Sequence, residues 1–136
     1  MSLRHDSDKW IVIVRKRQFL DAWARSRQER QLSTGDESAW RDDYKFHHAE
    51  KGFSHGRDNP VQLAWCDAHY EIDRGLPVLH TGFTDGITRT IWLLANGAEI
   101  FPVSVSSEKS ARLLFRGAGD RKTQPVSVAY LQSLIA

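Results

Sequence analysis

Short β-branched runs alternate with stripes at helical spacing along most of this chain. "KWIVIVR" (residues 9–15) is a β-branched run bounded by charges, the pattern of a buried first strand. In "RQFLDAWARSRQER", Phe19, Leu20 and Trp23 fall at i, i+1 and i+4 and predict a helix, with Asp21 and Arg25 one turn apart on its surface. "QLSTGDESAW" has no apolar period and reads as a loop. "WRDDYKFHHAEKGF" predicts a short helix ended by Gly52, with Tyr44, His47 and His48 spaced near one turn. "SHGRDNP" is a turn cluster, because Pro60 drives Asn59 from the helical region and Gly56 permits positive φ. The stretch from Leu32 to Pro60 therefore reads as a long polar binding or active-site region rather than a domain boundary.

Further on, "VQLAWCDAHYEI" alternates Val61, Leu63, Trp65 and Asp67, which suits a strand but equally begins a helix. "GLPVLHTGF" predicts a strand over 77–83, and "AEIFPVSV" another, with Phe101, Val103 and Val105 on one face and Pro102 suggesting an edge or bulge. Between them a short helix runs to Asn96, closed by Gly97 and burying Ile91, Leu94 and Ala95. Ser106 or Ser107 caps a helix in "SEKSARLLFRGAG", whose Ala111, Leu114 and Phe115 share a face and whose Gly117 and Gly119 end it. "PVSVAYLQSLIA" places Val128, Leu131, Leu134 and Ile135 at helical spacing and predicts a docked terminal helix. The sum is an α/β chain with a small mixed sheet flanked by helices.

The length of 136 residues suits one domain, since domains cluster at roughly 100–150 residues; the expectation is a single domain over 1–136 with residues 1–8 as a flexible amino terminus. A net charge of +2 creates no global field of the kind a nucleic-acid coat or a polybasic membrane anchor carries, so charge location has to decide. The basic clusters at 15–18, 24–30 and 116–122 read first as solvated surface. A lone cysteine, Cys66, leaves no intramolecular disulfide and no thiolate zinc site, and reads as a small core residue beside Trp65. With no run near the roughly 18 apolar residues of a membrane span and a polar amino terminus, no membrane association is expected and the cytoplasm is the expected compartment.

Candidate chemistry concentrates in "TGFTDGITRTIWLLANGAEIFPVSV" (residues 81–105). Asp85 is placed to cap the helix by accepting from the N–H of Ile87 or Thr88. Arg89 then stands in the first turn, where a cation opposes the helix dipole by about 0.3–1 kcal/mol. Either an ion pair with Asp85 compensates this, or a bound phosphate does, meeting helix-end N–H groups and the guanidinium fork together. Thr84, Thr88 and Thr90 add hydroxyl donors that suit phosphate oxygens and plain capping alike. Neither a GxxxxGK[ST] nor a GxGxxG motif is present, which removes a Walker loop and a dinucleotide fingerprint.

"TDGITRTIWLLANGAEIFPVSV" resembles the signature of the ParB/sulfiredoxin-like superfamily: a strand, a Gly-x-x-Arg turn, a helix ending near Ala-Gly and a strand beginning near Pro-Val. Together with "HGRDNPVQLAW" it is similar to the plasmid fertility inhibition factors of the Osa type, whose members carry an Asp-Asn-Pro segment and an Asp-Gly-x-Thr-Arg turn. The strong match covers about a fifth of the chain. The resemblance implies a ParB/sulfiredoxin-like fold and phosphate binding of nucleotide or DNA by Gly86, Thr88 and Arg89. It also implies ATPase and DNase activity and a block on conjugative DNA transfer. Sulfiredoxins carry a catalytic Cys directly after the Gly, where this chain has Ile87, so reduction of sulfinic acid is not expected. The helix-turn-helix of ParB is absent at this length, which argues against operator-specific binding.

Hydrolysis of ATP or a phosphodiester needs an activated water and charge neutralisation, normally from carboxylates and a metal. Asp85, with Arg89, is the catalytic candidate, and Mg²⁺ would arrive with ATP. Glu50, His55 and Asp58 in the long polar region are accessory candidates. His47 and His48 are adjacent, and His55, His69 and His80 lack metal-site spacing, so no metal site is predicted. Of the five tryptophans, Trp40 is the candidate for base stacking, with packing of its loop as the alternative. Against the enzymatic reading stands a non-catalytic inhibitor that binds a conjugation or secretion-system protein.

Overall fold

The β-branched run Trp10–Arg15 forms strand β1, with Val12 and Val14 fully buried on one face and Ile11 buried on the other. Burial on both faces explains why the run is apolar throughout rather than alternating. A computed structural model describes residues 8–26, 31–33, 35–58 and 61–135. Of the expected flexible amino terminus only Asp8 is among them, and much of the basic cluster at 24–30 and Asn59 and Pro60 of the turn cluster also lie outside the described residues.

Helix α1 (Lys16–Ala24) follows β1 directly and buries Phe19, Leu20, Ala22 and Trp23. The surface pair expected for Asp21 and Arg25 gives way to a longer reach: Arg25 Nη1 donates to the Leu79 carbonyl at 3.0 Å. The stretch read as a loop contains a helix, α2 (Glu37–Arg41), whose N-cap Asp36 accepts from the Ala39 N–H at 3.0 Å. Five residues are too few to show a period, so only the cap marked it. Helix α3 (Phe46–Ser54) runs through Gly52 rather than ending there. Gly52 serves a close approach instead, since a Cβ there would sit 3.2 Å from a Val61 methyl.

Strand β2 (Ala64–Asp73) settles the strand-or-helix ambiguity and pairs antiparallel with β3 (Leu76–Asp85), which is longer than the predicted 77–83. Arg74 and Gly75 join them at φ +51° and +81°, the left-handed pair that a two-residue hairpin turn requires. Helix α4 (Ile87–Ala95) follows, closed as expected by Gly97 at φ +90°. Strand β4 (Ile100–Val105) pairs antiparallel with β1 and, at Val103 and Ser104, parallel with β2. The edge position inferred from Pro102 is therefore wrong for the strand, which is central, but β2 begins its pairing one residue beyond the proline.

Helix α5 (Glu108–Ala118) is capped by Ser107, whose hydroxyl accepts from the Ser110 N–H at 3.1 Å. Gly119 ends it, while Gly117 lies inside, where a Cβ would meet Leu79 Cδ2 at 2.7 Å and the Tyr70 hydroxyl at 2.9 Å. Residues Val126–Ser127 form a short strand, β5, on β1, and α6 (Val128–Ile135) follows. Val128 is fully buried, but Leu134 and Ile135 are exposed, so α6 docks by its first turn alone and not along its length.

The sheet order is β3-β2-β4-β1-β5, one mixed sheet of an α/β domain, as the sequence predicts. Helices α1 and α5 pack across β1, β2 and β3, and α2 and α3 pack against α4. Edge-to-face contacts bind this core: Phe19 meets Phe83 at 5.7 Å and Phe101 at 5.4 Å, and Trp23 meets Phe83 at 4.9 Å. No helix among the described residues is long and apolar enough to cross a membrane. Replacing Phe19 by Ala is expected to cost about 3–5 kcal/mol, through the cavity and the lost ring contacts, whereas Leu134→Ser should stay within about 0.5 kcal/mol. Urea unfolding midpoints of the two variants check both values.

Candidate functional site

Strand β3 ends at Asp85, Gly86 turns the chain at φ +103°, and α4 starts at Ile87. Two constraints select glycine there. The left-handed φ is free of penalty only without a Cβ, and a Cβ would lie 2.6 Å from the Ala64 Cα and 3.0 Å from an Arg89 guanidinium nitrogen. The cap expected from Asp85 is not formed: Gly86 holds the N-cap position, with no side-chain cap hydrogen bond. Asp85 remains in the strand, and the turn directs its carboxylate to Arg89, whose Nη2 donates to Oδ2 at 2.9 Å.

The compensation foreseen as an ion pair is thus present, but it is not sealed. The Asp85 side chain is 64% exposed and the Arg89 side chain 24%, a setting in which such pairs contribute about 0–1 kcal/mol. The Arg89 Nε, in contrast, is buried without a hydrogen-bond partner. Thr84, Gly86, Thr88 and Arg89 line a cavity of about 310 Å³ that also receives Lys45. An adjoining cavity of about 300 Å³ runs from Thr88 and Arg89 to Lys45 and His48. Thr90 does not belong to this rim, because it is fully buried on the inner side of α4.

Lys45 and His48 were not foreseen. Their signal was nevertheless in the sequence, because Lys45, the N-cap of α3, stands with His48, Ala49 and Gly52 at i, i+3, i+4 and i+7, one helical stripe, and they line the same cavity. The accessory candidates lie elsewhere. Glu50 accepts a hydrogen bond from the Trp92 indole on α4, and His55 and Asp58 are exposed beyond the end of α3; none of the three lines the turn's cavities. Trp40 is 4% exposed and donates its Nε1–H to the Leu32 carbonyl at 2.9 Å. It is a core residue of the α2 segment and offers no face to a base, which corrects the stacking expectation.

The model of plasmid fertility inhibition factors matches residues 11–119, a span from the second residue of β1 to just past the end of α5 that contains the whole turn. The chain belongs to the plasmid fertility inhibition factor family. Protein osa of Shigella flexneri is 30% identical over 125 residues, covering 90% of this chain and 62% of that protein, so the chain spans less than two thirds of that relative's length. The crystal structure of oncogenic suppression activity protein, a plasmid fertility inhibition factor, in its gold(I) cyanide derivative superposes with a TM-score of 0.80. Its sequence is 29% identical, and the match covers 97% of this chain and 67% of that one.

In this chain Cys66 is a buried strand residue, not part of the turn. Burial, with a smaller contribution from the neighbouring Asp67 charge, holds its thiol well above the ordinary range. The thiol therefore stays protonated at neutral pH, and a thiol-specific reagent should label Cys66 only after denaturation; rapid labelling of the native protein would contradict its placement. Gly86→Ala should lower stability by about 1–3 kcal/mol from its φ alone, with the clash at Ala64 added, read as a drop in Tm.

Proposed function

We propose that this family member limits conjugative DNA transfer by engaging the phosphate groups of a nucleotide or of DNA at the Thr84–Arg89 turn. The observation that carries the reading is the convergence of three sources of positive potential on one cavity. The amino-terminal end of α4 has no side-chain cap, and Arg89 and Lys45 line the same space. Helix N–H groups aimed at an anion, with a guanidinium fork and an ammonium beside them, are what phosphate oxygens require.

Asp85 is the carboxylate of that cavity. An incoming phosphate that takes the guanidinium fork releases Asp85, which then stands beside phosphorus as the base or the Mg²⁺ ligand that ATP or DNA hydrolysis needs. Binding and turnover therefore separate by residue. Calorimetric titration of Mg²⁺–ATP and of a single-stranded oligonucleotide should show a loss of about 10- to 100-fold in affinity for Arg89→Ala, as charge-assisted hydrogen bonds are removed. Asp85→Asn should keep or strengthen binding, because the competing carboxylate charge is gone, while abolishing ATP or DNA cleavage. Wild-type protein that binds neither ligand would sink the proposal.

One observation favours a second reading, a non-catalytic inhibitor docking on a conjugation or secretion-system protein. Arg89 is already engaged by Asp85, and large apolar side chains stand exposed elsewhere: Ile72 and Leu76 at the hairpin end, Tyr130, Leu134 and Ile135 on α6. In a mating assay this reading is upheld if Leu134→Ser with Ile135→Ser relieves inhibition while Arg89→Ala does not.

A further inference from the structure

The pairing of β2 with β3 assembles a group of side chains that linear spacing does not reveal. His69 lies directly opposite His80, and Asp67 opposite Gly82. On β2, Asp67, His69 and Glu71 occupy alternate, exposed positions, while Cys66 and Ala68 on the opposite face are buried. Directly opposed residues of an antiparallel pair have Cβ atoms about 4.5–5.5 Å apart, and a diagonal neighbour is within reach of a long side chain. Accordingly the two imidazoles stack with centroids 5.3 Å apart, and Glu71 reaches both. Its Oε1 is 3.5 Å from His69 Nε2 and its Oε2 is 3.2 Å from His80 Nε2.

The 3.5 Å separation matches a shared ion and the 3.2 Å one lies just short of it, with a different Glu71 oxygen facing each imidazole. Around tetrahedral zinc, with Zn–N near 2.0–2.1 Å and Zn–O near 2.0–2.2 Å, neighbouring donor atoms are about 3.3–3.5 Å apart. A direct hydrogen bond to both imidazoles would favour about 2.7–3.2 Å, so the His69 separation in particular is long for one. One donor atom from each of His69, Glu71 and His80 lies within 4.8 Å of the others. The His80 side chain is only 14% exposed and so is held in place, whereas those of His69 and Glu71 are about half exposed and can adjust.

A second carboxylate stands beside the first imidazole: Asp67 Oδ1 is 4.0 Å from His69 Nδ1, beyond hydrogen-bonding distance, and adds negative charge there. The cluster forms part of the wall of a cavity of about 370 Å³, leaving solvent access for a fourth ligand. Arg25, the cation on that wall, is occupied by the Leu79 carbonyl.

We propose that His69, Glu71 and His80 form a Zn²⁺ site on the exposed face of the β2–β3 hairpin, with the Asp67 charge beside it. The donor set selects the metal class: imidazoles suit zinc and its transition-metal neighbours, while Mg²⁺ and Ca²⁺ favour oxygen ligands throughout. Two imidazoles and one carboxylate also form the three-ligand set that leaves zinc a position for water. His80 and Asp85 are five residues apart on β3, about 17 Å along an extended strand, so the site is separate from the phosphate turn and stands or falls independently of it.

The test is calorimetric titration of ZnCl₂ into the full chain, with the visible absorption of bound Co²⁺ as a second readout of tetrahedral ligation. Wild type should bind one equivalent. His69→Ala and His80→Ala should each lose roughly 100-fold or more in affinity, and Asp67→Asn a smaller amount as a nearby negative charge is removed. His47→Ala and His48→Ala, at the adjacent pair on α3, should bind as wild type. His69 is exposed, so its removal leaves the fold intact, and Glu71→Gln provides an isosteric second variant that should also bind more weakly. The proposal is overturned if wild type takes up no zinc. It is equally overturned if the His69, Glu71 and His80 variants bind zinc as tightly as wild type does.

Discussion

Everything around the turn depends on how closely Gly86 approaches Ala64. With no Cβ on one side and only a methyl on the other, the end of β3 settles onto the first residue of β2. That residue is already committed: Ala64 is the parallel partner of Val103, and its carbonyl accepts from the buried Ser104 hydroxyl at 3.1 Å. The start of α4 is therefore fixed against the middle of the sheet. Backbone contact of this kind is stiff, because nothing in it can rotate away. It holds the guanidinium of Arg89 and the carboxylate of Asp85 in register, although neither is deeply buried.

The same anchoring explains why a cation is tolerated in the first turn of α4. The helix dipole disfavours it by a fraction of a kilocalorie to about 1 kcal/mol, and the Asp85 pair offsets this by a similar amount. Two small opposing quantities leave the turn poised. An anion has to displace only a weak, solvent-accessible partner to meet Arg89, while Lys45 is brought to the same space from α3 by an independent set of contacts.

Much of this architecture was legible in the residues. The β-branched run of β1, the Ile91, Leu94 and Ala95 stripe of α4 and the Ser107 cap of α5 each carry their own local signal. What was hidden depends on contacts made by residues distant in sequence. β5 is only Val126 and Ser127 and exists because β1 offers it a partner. Gly52 and Gly117 read as helix ends, but each is there to admit a neighbouring side chain. The cap was misplaced by one residue because Asp85 suits that role chemically while only Gly86 can adopt the backbone angle. In the candidate site, Thr84 to Arg89 were found because they are contiguous; Lys45 was not, because only the packing of α3 on α4 brings it there.

Strand β3 forms one end of the sheet order, with β2 as its only neighbour among the described strands. Open edges of this kind invite pairing with another chain. Here Pro77 supplies no N–H to the strand, and the Leu79 carbonyl is already taken by Arg25. A foreign strand arriving at that edge would find a donor missing and an acceptor spent two residues apart. The margin of the molecule is thereby made a poor template for aggregation, at the cost of one arginine side chain folded back from α1.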